Sequence, residues 1–360
     1  MRHAPLLLCL FAFGLLVSVL VVGCGPSDAD KHIEIGHVSP PGPVGDEELA
    51  LKSAVEELNT DMSRQPEGRR IVIRHAPGGA TSVEWGAQAT RLVSLNKVNG
   101  LIISGNEFDA EKAGMAIQGE NVVGLSVAGW AGSPSRNLFT VGVSPSERGR
   151  VLAGVAKELK ANSVLVIRDP SARAANLAAD RFVADLRAGG VKLAEVDVAA
   201  ADKPAAELVF LACSAKSAIQ HQPKNAKALF GGDDTELAAL INGGAATEGI
   251  HVASALAPVG QTQVYTNFVE KYRSAHDRRT PSIEAMLAHD ALSIWIEAAR
   301  RAYGYDTSAI RDELRKTDKP FDSLAGPLTF ANDQTAQRPV FVWQIVGGQL
   351  TIRGELNRKP

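Results

Sequence analysis

From residue 32 onward, short apolar runs alternate with longer amphipathic stretches. The first apolar runs predict strands at 33–38, 71–75, 101–104, 122–126 and 138–143, and the stretches between them predict helices at 46–59, 82–95 and 109–118. In the first of these helices, Leu51, Ala54, Val55 and Leu58 recur at helical spacing. Strands that alternate with helices predict a parallel sheet covered on both faces.

The same alternation starts again near residue 147. It predicts helices at 147–160, 172–188 and 235–241, a weaker helix after 213, and strands at 163–168, 191–196, 208–213, 228–230 and 250–253. Helices at 262–276, 282–303 and 307–316 and strands at 327–330, 340–345 and 350–352 complete the chain. The predicted fold is therefore α/β, with two Rossmann-like lobes that are each a parallel sheet flanked by helices. Ligands of open parallel sheets bind beyond the carboxyl ends of the strands.

The first 23 residues have the pattern of an export signal. A positive residue, Arg2, precedes an apolar run, and Val21-Val22-Gly23-Cys24 resembles a bacterial lipobox, in which the cysteine receives the lipid. We expect 1–23 to be a lipoprotein signal peptide, Cys24 the lipidation site and 24–31 a polar tether. The alternative is an uncleaved membrane anchor, because about 20 apolar residues span a bilayer. Both interpretations place the body outside the cytoplasm, held to a bacterial membrane.

Composition narrows the function classes. The 360 residues suggest two domains, and a net charge of −2 without a basic stripe disfavours a nucleic-acid partner. Of the three cysteines, Cys213 alone lies in the predicted body, so no internal disulfide framework is expected. The sequence contains no P-loop, GxGxxG, CxxC or HExxH motif, so we expect neither a cofactor nor a metal.

Several blocks of the sequence resemble the type I periplasmic binding proteins, specifically their leucine/isoleucine/valine-binding group. The blocks are IEIGHVSPPGPVGDEELALKSAVEELN, SVLVIRDPSARAANLAADRFVADLRAGGVKL, FVEKYRSAHDRRTPSIEAMLAHDALSIWIEAARRAY, FDSLAGPLTF and RPVFVWQIVGGQL. The resemblance extends from about His32 to Leu350. It implies one lobe of residues 32–142 and 257–338, another of 143–256 and 339–360, and a hinge of three crossings that closes them around a ligand.

The resemblance also implies contact residues in the cleft between the lobes. The loop after the third strand, with Ser104 and Asn106, corresponds to the family's loop that holds the ligand's carboxylate or amino group, helped by the following helix start. The alternative role for Ser104 or Asn106 is an N-cap, and the two roles are compatible. The next contact loop contains Ser126, Gly129 and Trp130, and Trp130 replaces a threonine of the family.

Three further positions follow from the same resemblance. Arg173 stands where the family often has tyrosine, and it would pair with a carboxylate or lie in solvent at a helix start. Asp233 aligns with the acidic residue that faces the ligand's amino group, and Glu284 stands at an aromatic position. Ser104 and Asp233 fit a zwitterionic ligand, whereas Trp130, Arg173 and Glu284 depart from the family's apolar pocket.

The function implied by the resemblance is the binding component of an ABC importer, with an ABC permease as partner. It would capture an amino acid or a similar small polar solute and would not be an enzyme. The alternatives are a ligand sensor that passes closure to another partner, and a hydrolase that uses Ser126 or Ser104. The segment GLSVAG at 124–129 begins like a nucleophile elbow, but its second glycine comes one residue late. We expect His289-Asp290, in an apolar helix, to be structural.

Overall fold

The computed structural model describes residues 32–129, 135–200, 203–221, 226–231 and 237–355. Within these ranges, one sheet consists of five parallel strands in the order β2-β1-β3-β4-β5. Its strands are β1 (His32–Ser39), β2 (Arg70–Pro77), β3 (Gly100–Ile103), β4 (Val123–Ser126) and β5 (Leu138–Thr140). The strand order reverses between β1 and β3, and in open α/β sheets such a switch point leaves a crevice at the carboxyl edge.

A second sheet has seven described strands in the order β15-β14-β10-β9-β8-β6-β7. Its parallel strands are β6 (Ser163–Arg168), β7 (Lys192–Asp197), β8 (Leu208–Ala212), β9 (Ala228–Gly231) and β10 (Ile250–Ser254). A small antiparallel sheet follows, made of β11 (Phe321–Ser323), β12 (Gly326–Phe330) and β13 (Ala336–Gln337). The chain then returns to the second sheet as the antiparallel β14 (Phe341–Val346) and β15 (Gln349–Glu355). The predicted α/β fold of two parallel sheets is confirmed, with antiparallel strands added at one edge.

Ten α-helices are described between and after these strands. They are α1 (Asp46–Thr60), α2 (Ser82–Thr90), α3 (Glu107–Ala116), α4 (Pro145–Glu158), α5 (Arg173–Arg187), α6 (Ala215–His221), α7 (Leu237–Asn242), α8 (Gln263–Ala275), α9 (Ile283–Arg301) and α10 (Thr307–Leu314). A π-helical turn, Arg91–Leu95, continues α2, and short 3₁₀ turns lie at Met62–Arg64, Pro66–Gly68 and Gly244–Thr247. None of the helices in the described part of the chain is both long enough and apolar enough to cross a membrane.

Helix α9 is the central packing element of the first sheet. Its Trp295 is fully buried, and the indole N–H donates to the carbonyl of Val123 at 3.2 Å. A Cβ atom at Gly100 would lie 2.3 Å from the indole ring, so the absence of a side chain there lets α9 approach β3 closely. The apolar sequence of α9, with little polar face, follows from this burial.

A buried ion pair joins α9 to the segment before β14. The Arg338 guanidinium lies 2.8 Å from the Asp290 carboxylate, and both side chains are 1% exposed. Arg338 also donates to the carbonyl of Val141 at 2.9 Å, and Asp290 accepts the backbone N–H of Leu324 at 2.8 Å. Val141 and Arg338 flank two of the three predicted lobe crossings, whose boundaries remain a prediction.

Candidate functional site

A cavity of about 400 Å³ lies at the carboxyl edge of the first sheet, at the β1/β3 switch point. It is lined by Pro40, Pro41, Gly79, Ala80, Ser82, Trp85, Ser104, Gly105, Asn106, Asp109, Val127, Ala128, Gly129, Gly142, Val143, Ile283, Glu284 and Leu287. Pockets for small molecules are concave and mostly apolar, with a few convergent polar groups, and this lining has that composition. The cavity brings together four of the predicted site residues: Ser104, Asn106, Gly129 and Glu284.

Ser104 and Asn106 have separate roles at the end of β3. Asn106 is the N-cap of α3, because its side-chain oxygen accepts the N–H groups of Phe108 at 2.9 Å and Asp109 at 3.1 Å. Ser104 is 4% exposed, and its hydroxyl lies 2.7 Å from Nε2 of His37. The sequence did not decide whether Ser104 or Asn106 caps α3, and the structure shows that Asn106 does. The Ser104 hydroxyl lies beside the cavity.

The two acidic residues of the lining differ in their surroundings. The Asp109 carboxylate accepts the Ser82 hydroxyl at 2.9 Å and the backbone N–H of Asn106 at 3.2 Å, so it joins α2 to α3. Glu284 is half-buried in the first turn of α9, behind the N-cap Ser282. No lysine or arginine is among the described residues of the lining, so the cavity wall is acidic.

Further negative charge lies close to Glu284. Burial raises the pKa of Glu47 above its ordinary value, and the like charges of Glu48 and Glu284 add to that rise. Burial is the largest cause of this rise, so the shift reflects the loss of solvent around the Glu47 carboxyl more than the neighbouring charges.

The loop after β4 passes very close to the segment after β5. A Cβ atom at Gly129 would lie 1.8 Å from the carbonyl oxygen of Val143, so only glycine fits that approach. A Cβ atom at Gly142 would lie 2.3 Å from the carbonyl oxygen of Val127. Ser126 is fully buried and accepts the N–H of Ala128 at 3.1 Å, which braces the loop, and it is not part of the cavity lining.

Arg173 lies away from the cavity lining. Its guanidinium pairs with Glu111 at 3.0 Å and lies over the ring of Phe108, 5.2 Å from the centroid. Both partners belong to α3, so Arg173 joins the first turn of α5 to a helix of the other sheet. Cys24, Trp130 and Asp233 lie outside the described residues, and their predicted roles remain predictions.

Most of the lining had not been singled out in the sequence, including its large apolar residues Trp85, Ile283 and Leu287. Trp85 is 3% exposed, and its indole N–H donates to the carbonyl of Gly79 at 3.2 Å. A Cβ atom at Gly78 would lie 2.3 Å from the indole, so the absence of a side chain at Gly78 makes room for the ring.

A histidine pair lies directly behind Ser104. His37 and His75 are register partners on the parallel strands β1 and β2, and their Nδ1 atoms are 2.9 Å apart. Burial, with the charge of His75 added, lowers the pKa of the His37 imidazole well below its ordinary value. Burial also lowers the pKa of His75, against the opposing effect of Glu48. Both imidazoles therefore lose their proton at a lower pH than an ordinary histidine does.

Comparison with known proteins identifies the fold. Residues 210–349, which are less than half of the chain, match the family model for periplasmic binding protein. No curated protein matches the chain significantly. The leucine binding protein LivK of Thermotoga maritima shares 18% identity at a TM-score of 0.75, over 91% of this chain and 99% of LivK.

Two other solved structures show the same fold with ligands. The branched-chain amino acid transporter substrate binding protein LivJ of Streptococcus pneumoniae, in complex with isoleucine, shares 20% identity at a TM-score of 0.74, over 90% of this chain and 99% of LivJ. An ABC transporter solute binding protein of Rhodopseudomonas palustris, in complex with 3,4-dihydroxybenzoic acid, shares 16% identity at 0.71, over 91% and 98%. The predicted type I periplasmic binding fold is confirmed.

Proposed function

We propose that this chain, which has the type I periplasmic binding fold, is the extracytoplasmic solute-binding component of an ABC importer and captures an amino acid. The neighbours in complex with isoleucine and with an aromatic acid support a small carboxylate-bearing ligand. Lipidation at Cys24 and an ABC permease as partner belong to the same proposal, on the strength of the lipobox and the fold.

The observation that carries the proposal is the mixed chemistry of the cavity wall. Ser104 offers a hydroxyl at the edge where α3 begins, and neutral donors beside a helix start suit a carboxylate. Glu284 offers a negative charge that suits an ammonium group. Trp85, Ile283 and Leu287 offer apolar surface for a side chain. The combination favours an apolar amino acid over a simple carboxylic acid, because only the amino acid brings an ammonium group to the acidic part of the wall.

Thermal melting of the purified protein tests this proposal. We expect L-leucine, L-isoleucine or L-valine to raise the melting temperature, since ligand at 100 times its Kd adds about 2.7 kcal/mol of stability. Leucine should be compared with isocaproate, which lacks the amino group, and with isoamylamine, which lacks the carboxylate. Both analogues should shift the melt far less. An equal shift by isocaproate, or no shift by any amino acid, would contradict the proposal.

Two variants locate the binding site. Glu284→Gln should weaken leucine binding by removing the charge opposite the ammonium, and Ser104→Ala should weaken it by removing the hydroxyl donor. Each lost charged or hydrogen-bonding contact is worth about 1–3 kcal/mol. The control is Lys316→Ala, because Lys316 is an exposed residue that pairs with Glu313 and is not part of the cavity lining. Binding that survives both site variants unchanged would place the ligand elsewhere.

A second candidate, a hydrolase, has one specific observation in its favour. His37 Nε2 lies 2.7 Å from Ser104 Oγ, which is the separation that a nucleophile and its base require. Nδ1 of His37, however, faces another histidine rather than an orienting carboxylate. The backbone N–H of Ser104 donates to the carbonyl of Val38 at 2.9 Å and is not directed at an oxyanion. Turnover of p-nitrophenyl acetate that Ser104→Ala abolishes would establish this candidate instead.

A further inference from the structure

Three potential metal ligands converge beside the cavity. His37 on β1, His75 on β2 and Glu48 on α1 each offer one ligand atom, and these atoms all lie within 4.8 Å of one another. The two histidines are paired across neighbouring strands, and α1 covers the same face of the sheet. Imidazole nitrogens with one carboxylate form a common ligand set for zinc sites that keep an open position.

The neighbours of these side chains orient them as the surroundings of a metal site do. Nε2 of His37 lies 2.7 Å from the Ser104 hydroxyl, which leaves Nδ1 directed at His75. One oxygen of Glu48 accepts the hydroxyl of Ser39 at 2.7 Å, which leaves the other oxygen for a ligand role. Partners on the second ring nitrogen and on the carboxylate fix the orientation and basicity of metal ligands.

We propose that His37, Glu48 and His75 bind a divalent transition-metal ion such as Zn²⁺, and that the bound ion directs the hydroxyl hydrogen of Ser104 into the cavity. Zinc holds imidazole nitrogens at about 2.0–2.1 Å, so two of them at a tetrahedral angle are roughly 3.3 Å apart. The present Nδ1–Nδ1 separation of 2.9 Å opens to that value by small rotations of the two rings. The His75 side chain is partly buried on the His37 side and partly exposed, which gives the ion a path from solvent, and water completes the coordination.

The effect on Ser104 follows from the tautomer of His37. A metal on Nδ1 places the ring proton on Nε2, so Nε2–H donates to the Ser104 oxygen. The hydroxyl hydrogen is then free to donate to an anionic group in the cavity. Without the metal, the serine hydroxyl is able to donate to Nε2 instead, and it is then unavailable to a ligand. This coupling rests on the proposed amino-acid function, whereas the metal site itself does not.

Zinc binding to the purified, tag-free protein tests the metal site. Equilibrium dialysis against micromolar Zn²⁺ should give one ion per chain, and Co²⁺ in its place should give the visible absorption of a tetrahedral site. His75→Ala and Glu48→Gln change accessible side chains and should each weaken zinc binding about tenfold or more. His221→Ala, a half-buried histidine on α6, is the matched control and should bind normally. No stoichiometric zinc, or equal binding by all variants, would overturn the site.

Leucine titrations with and without saturating zinc test the coupling. Zinc should raise the leucine affinity of the wild-type chain about fivefold or more, and by linkage leucine should raise the zinc affinity equally. Ser104→Ala should abolish that effect. An unchanged leucine affinity would overturn the coupling and leave the metal site standing. If the protein binds zinc at this site and no amino acid at all, the proposed function fails and the metal site again stands.

Discussion

Removal of the Asp290 carboxylate is expected to destabilise the protein strongly. The carboxylate contacts the guanidinium of Arg338 and the backbone N–H of Leu324, and both side chains of the ion pair are 1% exposed. Asp290→Ala leaves the guanidinium buried beside the carbonyl of Val141 and the hydroxyl of Ser323. The guanidinium charge is then buried without its carboxylate partner, and burial of an unpaired charge is costly.

The magnitude follows from the burial of both partners. Breaking a buried pair by removing one member costs about 3–5 kcal/mol. The whole stability of a domain is about 5–15 kcal/mol, so one side chain accounts for a large share. Urea unfolding followed by far-ultraviolet circular dichroism and by tryptophan fluorescence measures this loss as a lower midpoint at an unchanged slope. Trp295 reports on the same helix, because it is buried in α9.

Two comparisons separate this effect from a general response to mutation. Arg279→Ala removes an exposed ion pair, in which the Arg279 guanidinium lies 3.1 Å from the Asp46 carboxylate. The loss of this pair should lower the free energy of unfolding by less than about 1 kcal/mol. The double variant Asp290→Leu/Arg338→Met should recover much of the loss, since apolar residues often replace a buried pair without cost. A loss for Asp290→Ala no larger than that for Arg279→Ala would refute the reasoning.

Three other outcomes follow from the site and core. Gly129→Ala should lower the free energy of unfolding by about 1–3 kcal/mol and weaken ligand binding, because the added Cβ atom collides with the carbonyl of Val143. The control is Gly119→Ala, whose added Cβ atom has no neighbour within 4 Å, and thermal melting compares the two variants. Burial lowers the pKa of His289 in the folded state, so the free energy of unfolding falls as the pH drops from about 6.5 toward that folded-state pKa. The urea midpoint should therefore be lower at pH 5.5 than at pH 7.5, and this difference should be smaller in His289→Phe than in the wild type. Ligand-induced change in tryptophan emission should be largely lost in Trp85→Phe, and an undiminished change would place the ligand away from this wall.

The strands of the two large sheets were predictable because their sequences are locally distinctive. The run 163–168 is apolar between polar neighbours, and β6 has those bounds. Strands β11 and β13 were not predicted, because three and two residues of mixed polarity carry no periodic signal. Their pairing with β12 depends on tertiary contacts. Similarly, the amino-acid sequence of residues 82–95 does not indicate that the α-helix changes to a π-helical turn at Arg91.

The site was predictable as a set of loops but not as a set of contacts. The family resemblance indicated the loop that holds Ser104 and Asn106, yet the sequence could not decide which of them caps α3. Trp85 was not predicted as a lining residue, because its position in the cavity wall depends on the space left by the missing side chain of Gly78. The His37–His75 contact was not predicted because 38 residues separate the two histidines in the sequence, and the register of β1 with β2 is what brings them together.

One feature of topology accounts for both the cavity and the histidine pair. Because β1 lies between β2 and β3, side chains from β2 and from the end of β3 both reach its carboxyl end. On the β3 side it holds Ser104, whose N–H donates to Val38, and on the β2 side it aligns His37 with His75. Ser104 therefore contacts the cavity and His37 at once. Any change in the protonation or ligation of that histidine therefore acts on a hydroxyl at the cavity wall.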